Sequence, residues 1–124
     1  MTDYVRAANE QTLIAIQLEE RAAIDNLDEL LAVEGVDVFF IGPSDLSQSM
    51  GHPGDAKAAP VAEAINRSLE RIVAAGRVPG MPATAENVAD VRKKGVRYIY
   101  THVPRLIAAS ARAYFDKARG RELD

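Results

Sequence analysis

The sequence predicts an α/β protein built on a parallel sheet, and three features carry that expectation. Short apolar runs alternate with longer amphipathic segments four times along the chain. The connections are a few residues long except after Asp45. One of the runs, Val36 to Gly42, is apolar on both faces, as strands covered on both sides in a parallel sheet tend to be. Such alternation requires right-handed crossovers and closes either as a doubly wound sheet or as a barrel. There is neither a 20 to 50-residue repeat nor a low-complexity linker, so residues 1–124 read as a single domain.

The elements follow in order. Thr12 to Leu18, "TLIAIQL", is a strand; Glu20 to Val33 carries Ala23, Ile24, Leu27, Leu30 and Leu31 at helical spacing and makes one helix. Val36 to Gly42 is the second strand, followed by a polar loop, "PSDLSQSMGHPGD". From Pro60 a helix places Val61, Ala64, Ile65, Leu69, Ile72 and Val73 on one stripe, with Gly76 set to end it. "RVPGMPA" is the weakest strand by propensity, because two prolines and a glycine interrupt it. Thr84 then caps a short helix, with Asn87 in the place where a capping box prefers Glu or Gln, and Gly95 ends it. "VRYIYTH" is the fourth strand, a last helix runs from about Pro104 to Arg119, and the tail "GRELD" frays.

Composition narrows the function. At 48% apolar and 27% charged residues the 124-residue chain is of ordinary globular make-up. Without cysteine it has no disulfide framework and no thiolate metal site, which agrees with a cytoplasmic setting. The net charge of −3, with acids and bases interspersed, offers no footprint for nucleic acid or an anionic membrane. The polar start "MTDYVRAANEQ" has no apolar signal region, and no run approaches the roughly 20 residues of a membrane span. A soluble, unprocessed chain is expected.

In parallel α/β proteins the working groups gather at the carboxyl ends of strands. Glu19 closes one strand and Asp45 follows the next, about one β/α unit apart, so both carboxylates fall on one rim. Two hard oxygen ligands suit Mg²⁺ or Mn²⁺, which leave coordination positions for substrate oxygens. The same residues also fit a helix N-cap and a first-turn acid opposing the helix dipole. By alternation Gln17 shares a face with Ala15 and Glu19, either as a second polar group at the same centre or as a satisfied core amide. Gly42 before Pro43 allows tight backbone passage, and the amides of Ser44 and Asp45 face an anion if they open a helical turn. His52 and His102 read as surface or loop residues, Tyr98 and Tyr100 as packing around the last strand, and Arg92, Lys93 and Lys94 as a solvated helix end. The absence of a glycine-rich phosphate loop disfavours nucleotide cofactors.

Taken together, "IAIQLEE", "AIDNLDELLAVEGVDVFFIGPSDLSQSMG" and "ATAENVADVRKKGVRYI" resemble the HpcH/HpaI family of metal-dependent aldolases, which act on 4-hydroxy-2-oxoheptanedioate and 2-keto-3-deoxy sugar acids. The resemblance covers nearly the whole chain. It implies four β/α units, the C-terminal half of a TIM-type (β/α)₈ barrel, with Glu19 and Asp45 holding a divalent cation (Mg²⁺, Mn²⁺ or Co²⁺). It further implies that Gln17 and the backbone of Ser44 and Asp45 contact a pyruvate-containing substrate and that Pro82 lines the pocket. The implied reaction is carbon–carbon cleavage of a 4-hydroxy-2-oxo acid to pyruvate and an aldehyde, of a kind used in aromatic-compound catabolism. The family's first half carries a His and an Asp that handle the proton and an Arg that contacts substrate, and nothing in this chain matches them. The resemblance therefore does not extend to activity of this chain by itself. It leaves two alternatives beside the aldolase reading: a non-catalytic half-barrel that assembles with a separate N-terminal half, and a relative of the citramalyl-CoA or citrate-type lyases. Four strands alone would expose two sheet edges and an apolar face, and the family's closing helix packs on a neighbouring subunit, so a homo-oligomer or a separate N-terminal half is the expected partner.

Overall fold

A computed structural model describes residues 2–120. The elements are α1 (Thr2–Gln11), β1 (Ala15–Leu18), α2 (Arg21–Asp25), α3 (Leu27–Leu31), β2 (Val38–Ile41), α4 (Pro43–Ser49), α5 (Ala59–Ala74), β3 (Val78–Pro82), α6 (Val88–Lys93), β4 (Tyr98–Tyr100) and α7 (Val103–Ala118). The strands form one parallel sheet in the order β1-β2-β3-β4. Each strand is followed by helix, so the four-fold β/α reading holds. Among the described residues no helix is long and apolar enough to cross a membrane.

Alternation along the strands gives the sheet two unlike faces. Leu18, Phe39 and Ile41 point to the helices, where Leu27, Leu31, Leu46, Val61, Ile65, Leu69, Ile72 and Val91 close a continuous core. Each such fully buried Leu, Ile or Phe contributes about 2 kcal/mol. The other face carries Ala15, Gln17, Phe40, Gly80, Tyr98 and Tyr100 and is concave, with a cavity of about 380 Å³ lined by Gln17, Phe40, Tyr98 and Tyr100 among others. Gly80 is what lets the aromatic groups fill that face. A Cβ there would lie 2.8 Å from Phe40 Cδ2 and 3.2 Å from Tyr98 Cδ1. In the space it leaves, the Phe40 ring meets Tyr98 and Tyr100 edge to face, at centroid separations of 6.1 and 6.4 Å.

Several elements differ from expectation, each for a local reason. The strands are shorter than their apolar runs, since Leu13, Ile14 and Val36 fall outside the strand ranges, although the Ile14 carbonyl still accepts the Val38 N–H at 3.1 Å. The polar start forms α1, which has no apolar stripe by which periodicity could reveal it; Arg6 and Glu10 pair one turn apart at 3.2 Å. The helix expected over Glu20–Val33 breaks at Asn26, which ends α2 and begins α3. Arg71 donates to the Ile24 carbonyl beside that break (3.3 Å) and pairs with Asp28 at 2.8 Å. The polar loop after β2 begins instead with α4: Pro43 supplies a preset first-turn φ, and Leu46 and Ser47 are buried. Thr84 does not directly precede α6, whose N-cap is Asn87. Half of the expected capping box is nevertheless made, because Asn87 Oδ1 accepts the Thr84 N–H at 2.7 Å. Gly76 and Gly95 follow α5 and α6 at φ +70° and +86°, as helix-ending residues. None of the α7 residues is buried, and Val103, Leu106, Ile107, Tyr114 and Phe115 are exposed on it. Most of the tail "GRELD", from Arg121 on, lies outside the described residues.

Arg77, at the entry to β3, ties two layers together. Its guanidinium donates from Nε and Nη2 to the Leu31 carbonyl (3.0 and 2.8 Å) and from Nη2 to Val33 (3.0 Å), at the end of α3. It also sits 5.9 Å from the Phe39 ring centroid. Arg77→Ala is expected to lower the unfolding free energy by about 2 kcal/mol, the usual worth of hydrogen bonds to a charged donor. Urea unfolding followed by circular dichroism checks this, and an unchanged midpoint would mean that water serves those carbonyls equally well. Ser68 Oγ, buried on α5, is without a hydrogen-bond partner. Ser68→Ala should raise the unfolding free energy in the same assay by about 1 kcal/mol, because it removes an unsatisfied hydroxyl and adds helix propensity.

Candidate functional site

The register of the sheet arranges the concave face in layers. Gln17 pairs with Phe40, Phe40 with Gly80, and Gly80 with Tyr98, so these four residues form one layer. Two residues further along each strand comes the next layer: Glu19, Gly42, Pro82 and Tyr100. Its pairings are carried by Gly42 N–H donating to the Leu18 carbonyl at 3.1 Å and by the direct pairing of Pro82 with Tyr100. This second layer is the carboxyl rim. Three of the sequence-predicted residues, Gln17, Glu19 and Pro82, therefore share the concave face.

Gln17 and Glu19 are in direct contact. Gln17 Nε2 donates to Glu19 Oε2 at 2.5 Å, which fixes the carboxylate's orientation and leaves its other lone pairs free. Both side chains lean on the backbone of Gly42. A Cβ at that position would lie 3.1 Å from Gln17 Nε2 and 3.2 Å from both Glu19 Cβ and Oε2. Gly42 also caps α4, so the chain passes from the Glu19 contact into the first helical turn within three residues of Asp45.

Ser44 and Asp45 are exposed on that first turn, where backbone N–H groups have no acceptor within the helix. The turn is held from below by Ser47, whose buried hydroxyl donates to the Ser44 carbonyl at 2.6 Å. It is held to the β1 loop by Ser49, whose Oγ accepts the Arg21 N–H at 2.9 Å. These contacts fix α4 against the segment that carries Glu19. Asp45 and Glu19 do not touch each other through a hydrogen bond, and neither carries an ion pair among the described residues. In the loop after Pro82, a hydrogen bond from the Thr84 side chain, helped by the backbone, holds the Glu86 carboxyl below the usual carboxylate range.

The donor set fits a hard divalent cation. Two carboxylates without competing cationic partners stand on one rim, one of them half-buried and oriented by an amide, over a backbone that a Cβ would crowd. Among the described residues no three His, Cys, Asp or Glu side chains cluster, so such an ion would complete its coordination with water and substrate oxygens.

One contact was not foreseen. The Tyr100 hydroxyl lies 2.9 Å from both ring nitrogens of His102, with the ring centroids 4.7 Å apart and the planes inclined at 67°. The expectation that Tyr100 packs around the last strand is met only in part, since 43% of it is exposed. The signal available in the sequence was the alternation Tyr98, Tyr100, His102, which puts all three on the parity of the concave face. His52 sits elsewhere, in the loop after α4, where its N–H donates to the Ser47 carbonyl at 2.7 Å.

A four-stranded parallel β/α sheet in sequential strand order, with one face left open, has the architecture of part of a TIM-type barrel. Comparison with known proteins makes this specific. The family model described as HpcH/HpaI aldolase/citrate lyase matches residues 1–100, and the chain belongs to that family. Over 81 residues it is 57% identical to a hydroxypyruvate/pyruvate aldolase of Roseovarius nubinhibens, a match covering 65% of this chain and 32% of that protein. It is 44% identical over 87 residues to a 2-keto-3-deoxy-L-rhamnonate aldolase of Escherichia coli, covering 70% of this chain and 33% of the relative. The crystal structure of an HpcH/HpaI aldolase/citrate lyase family protein from Burkholderia cenocepacia superposes with a TM-score of 0.87 at 30% identity, over 94% of this chain and 46% of that one. The chain thus spans about a third of the length of its curated relatives and about half of the solved structure. The expected fold stands as a portion of such a barrel.

Gly42→Ala tests the convergence at the rim. The added methyl is expected to displace Glu19 and weaken Mn²⁺ binding about tenfold, while the backbone angles (φ −97°, ψ 90°) suit alanine and the fold survives. Isothermal titration with Mn²⁺, beside a circular dichroism spectrum, reads both effects; unaltered affinity would mean that Glu19 has room to move.

Proposed function

We propose that this chain supplies the metal-binding portion of a class II aldolase site, which cleaves a 4-hydroxy-2-oxo acid to pyruvate and an aldehyde. The observation that carries the reading is the convergence of Gln17 and Glu19 on Gly42, directly before the helical turn of Asp45. Its relatives' names agree with it, since they are aldolases of hydroxypyruvate, pyruvate and a 2-keto-3-deoxy sugar acid.

Glu19 and Asp45 would hold the divalent cation, Mg²⁺, Mn²⁺ or Co²⁺, because both are hard oxygen donors on one rim. When bound, such an ion supplies Lewis-acid stabilisation of the negative charge that develops on a 2-oxo acid. Gln17 keeps the Glu19 carboxylate turned toward the rim and has a second amide hydrogen left for a substrate oxygen. The first-turn N–H groups of Ser44 and Asp45 would receive the substrate carboxylate. Pro82 offers an apolar wall in the layer of Glu19, and the rings of Phe40 and Tyr98 line the layer beneath it.

The open aromatic face and the exposed apolar residues of α7 support assembly, with a separate N-terminal half or with further copies of the chain. A half-barrel without activity of its own is the alternative that the same surfaces favour. A thioester-cleaving lyase of the citrate type is a further one, to which the family's description also extends.

The test is pyruvate formation from 4-hydroxy-2-oxoheptanedioate with Mn²⁺, by the chain alone and with the first four β/α units of a relative added. Metal-dependent turnover that disappears in Asp45→Ala is the expected result. Glu19→Gln and Asp45→Ala should each weaken Mn²⁺ binding at least tenfold by isothermal titration. Wild-type affinity in both variants would remove the metal assignment, and pyruvate release only from a thioester would replace the aldolase reading with the lyase one.

A further inference from the structure

The metal reading needs Glu19 and Asp45 held at a definite separation, although they stand on successive β/α units, Glu19 after β1 and Asp45 in α4. Two hydrogen bonds join those units, one on each side of the pair. Before it, the Gly42 N–H donates to the Leu18 carbonyl at 3.1 Å. After it, the Arg21 N–H donates to Ser49 Oγ at 2.9 Å. Leu18–Arg21 and Gly42–Ser49 thus form a closed loop of chain, with Glu19 on one side and Asp45 on the other. We propose that Ser49 is a positioning residue for the cation: its hydroxyl fixes the spacing of the two carboxylates and so favours a small ion over Ca²⁺.

The helix geometry agrees. Ser49 follows Asp45 by one turn, so both side chains leave α4 on the same face, and the bond to Arg21 turns that face toward the segment of Glu19. Burial of Leu46 and Ser47 on the adjoining stripe fixes the rotation of α4 about its axis. The Arg21 N–H, for its part, has no local substitute for Ser49. It opens α2, where an N–H finds no acceptor within the helix, and the N-cap residue Glu20 makes no side-chain capping bond. The Arg21 guanidinium is directed to Asp25 at 3.7 Å, so Arg21 joins the two segments through its backbone. The bond from Ser47 to the Ser44 carbonyl stiffens the first turn of α4 without reaching β1.

Selectivity follows from the tie. Mg²⁺ holds its oxygen ligands at about 2.0–2.1 Å in near-octahedral geometry, whereas Ca²⁺ takes them at about 2.3–2.6 Å in a flexible arrangement. Two carboxylates whose segments are tied on both sides resist opening to suit the longer bonds, because one of the ties would have to stretch. Without the Ser49 hydroxyl, the bond between Gly42 and Leu18 becomes a hinge about which the end of α4 and the start of α2 can part. The small ion then loses its fixed pair, while Ca²⁺, which tolerates variable spacing, loses little. The inference rests on the assignment of Glu19 and Asp45 to a cation, and it names the residue that chooses among cations there.

Isothermal titration of the full chain with Mg²⁺ and, separately, with Ca²⁺ tests this in the wild type, Ser49→Ala and Ser49→Thr, with urea midpoints measured on the same samples. Ser49 is exposed at the end of α4, so neither substitution opens a cavity or crowds the core. Ser49→Ala is expected to weaken Mg²⁺ binding about fivefold, the usual worth of one hydrogen bond, while Ca²⁺ affinity stays within about twofold. Ser49→Thr, which keeps the hydroxyl, should retain the wild-type preference between the ions. Equal loss of both ions in Ser49→Ala, the result of general loosening, would overturn the positioning role, as would a Ser49→Thr variant that behaves like the alanine one. Unchanged Mg²⁺ affinity in Ser49→Ala beside a loss in Asp45→Ala would overturn the inference and leave the metal reading standing. A folded wild type that binds neither ion would remove both.

Discussion

The missing side chain at Gly42 is the constraint on which the rest of the rim depends. Parallel strands bring the end of β1 beside the end of β2 at ladder distance, so whatever residue 42 carries must share space with Gln17 and Glu19. With only hydrogen there, the amide and carboxylate fold over the backbone and the chain can turn at once into α4. Pro43 then fixes the first φ of that helix, and Asp45 follows within the same turn. A larger residue would have to push the Glu19 carboxylate outward or move β2 away from β1, and the ladder bond from Gly42 to Leu18 opposes the second course.

The same logic of a missing Cβ operates one layer deeper. Gly80 sits between Phe40 and Tyr98, and its smallness lets three aromatic rings lie on the concave face of a sheet only four strands wide. The consequence is a division between layers. The lower one, Phe40 and Tyr98, is an apolar floor; the upper one, Glu19 and Tyr100, is polar. The opposite face of the sheet contributes little to chemistry and most of the stability, through the Leu and Ile residues that the helices press onto it.

Much of this was legible in the sequence because the deciding signals are local. The apolar runs at Ala15–Leu18 and Val38–Ile41 mark their strands, Gly76 and Gly95 end their helices as C-terminal glycines do, and the stripe from Val61 to Ile72 is buried as its spacing demands. Glu19 and Gln17 share a face by simple alternation, and the structure brings them into contact. What escaped depends on tertiary partners. The break at Asn26 involves Arg71, 45 positions further along the chain. The helical character of Pro43–Ser49 is hidden by polar composition and revealed only by the burial of Leu46 and Ser47. The contact between Tyr100 and His102 is local, but the importance of its position is visible only once the register aligns Tyr100 with Pro82 and so with the rim.

The candidate site is spread across the sheet, and the parallel register is what sets its parts at one level. Glu19, Gly42, Pro82 and Tyr100 stand at the carboxyl ends of four successive strands, and each owes its height to the same parallel register. A shift of one residue in any pairing would turn that strand's contribution from the concave face to the helix side, where a carboxylate would be buried against leucines. The apolar residues that face the helices resist such a shift, since Phe39, Ile41 and Leu18 would all move into the open cavity. Core packing on one side of the sheet thus sets the height of the polar groups on the other. The completeness of the core, rather than contacts among the polar groups themselves, is what keeps the rim assembled above an open concave face.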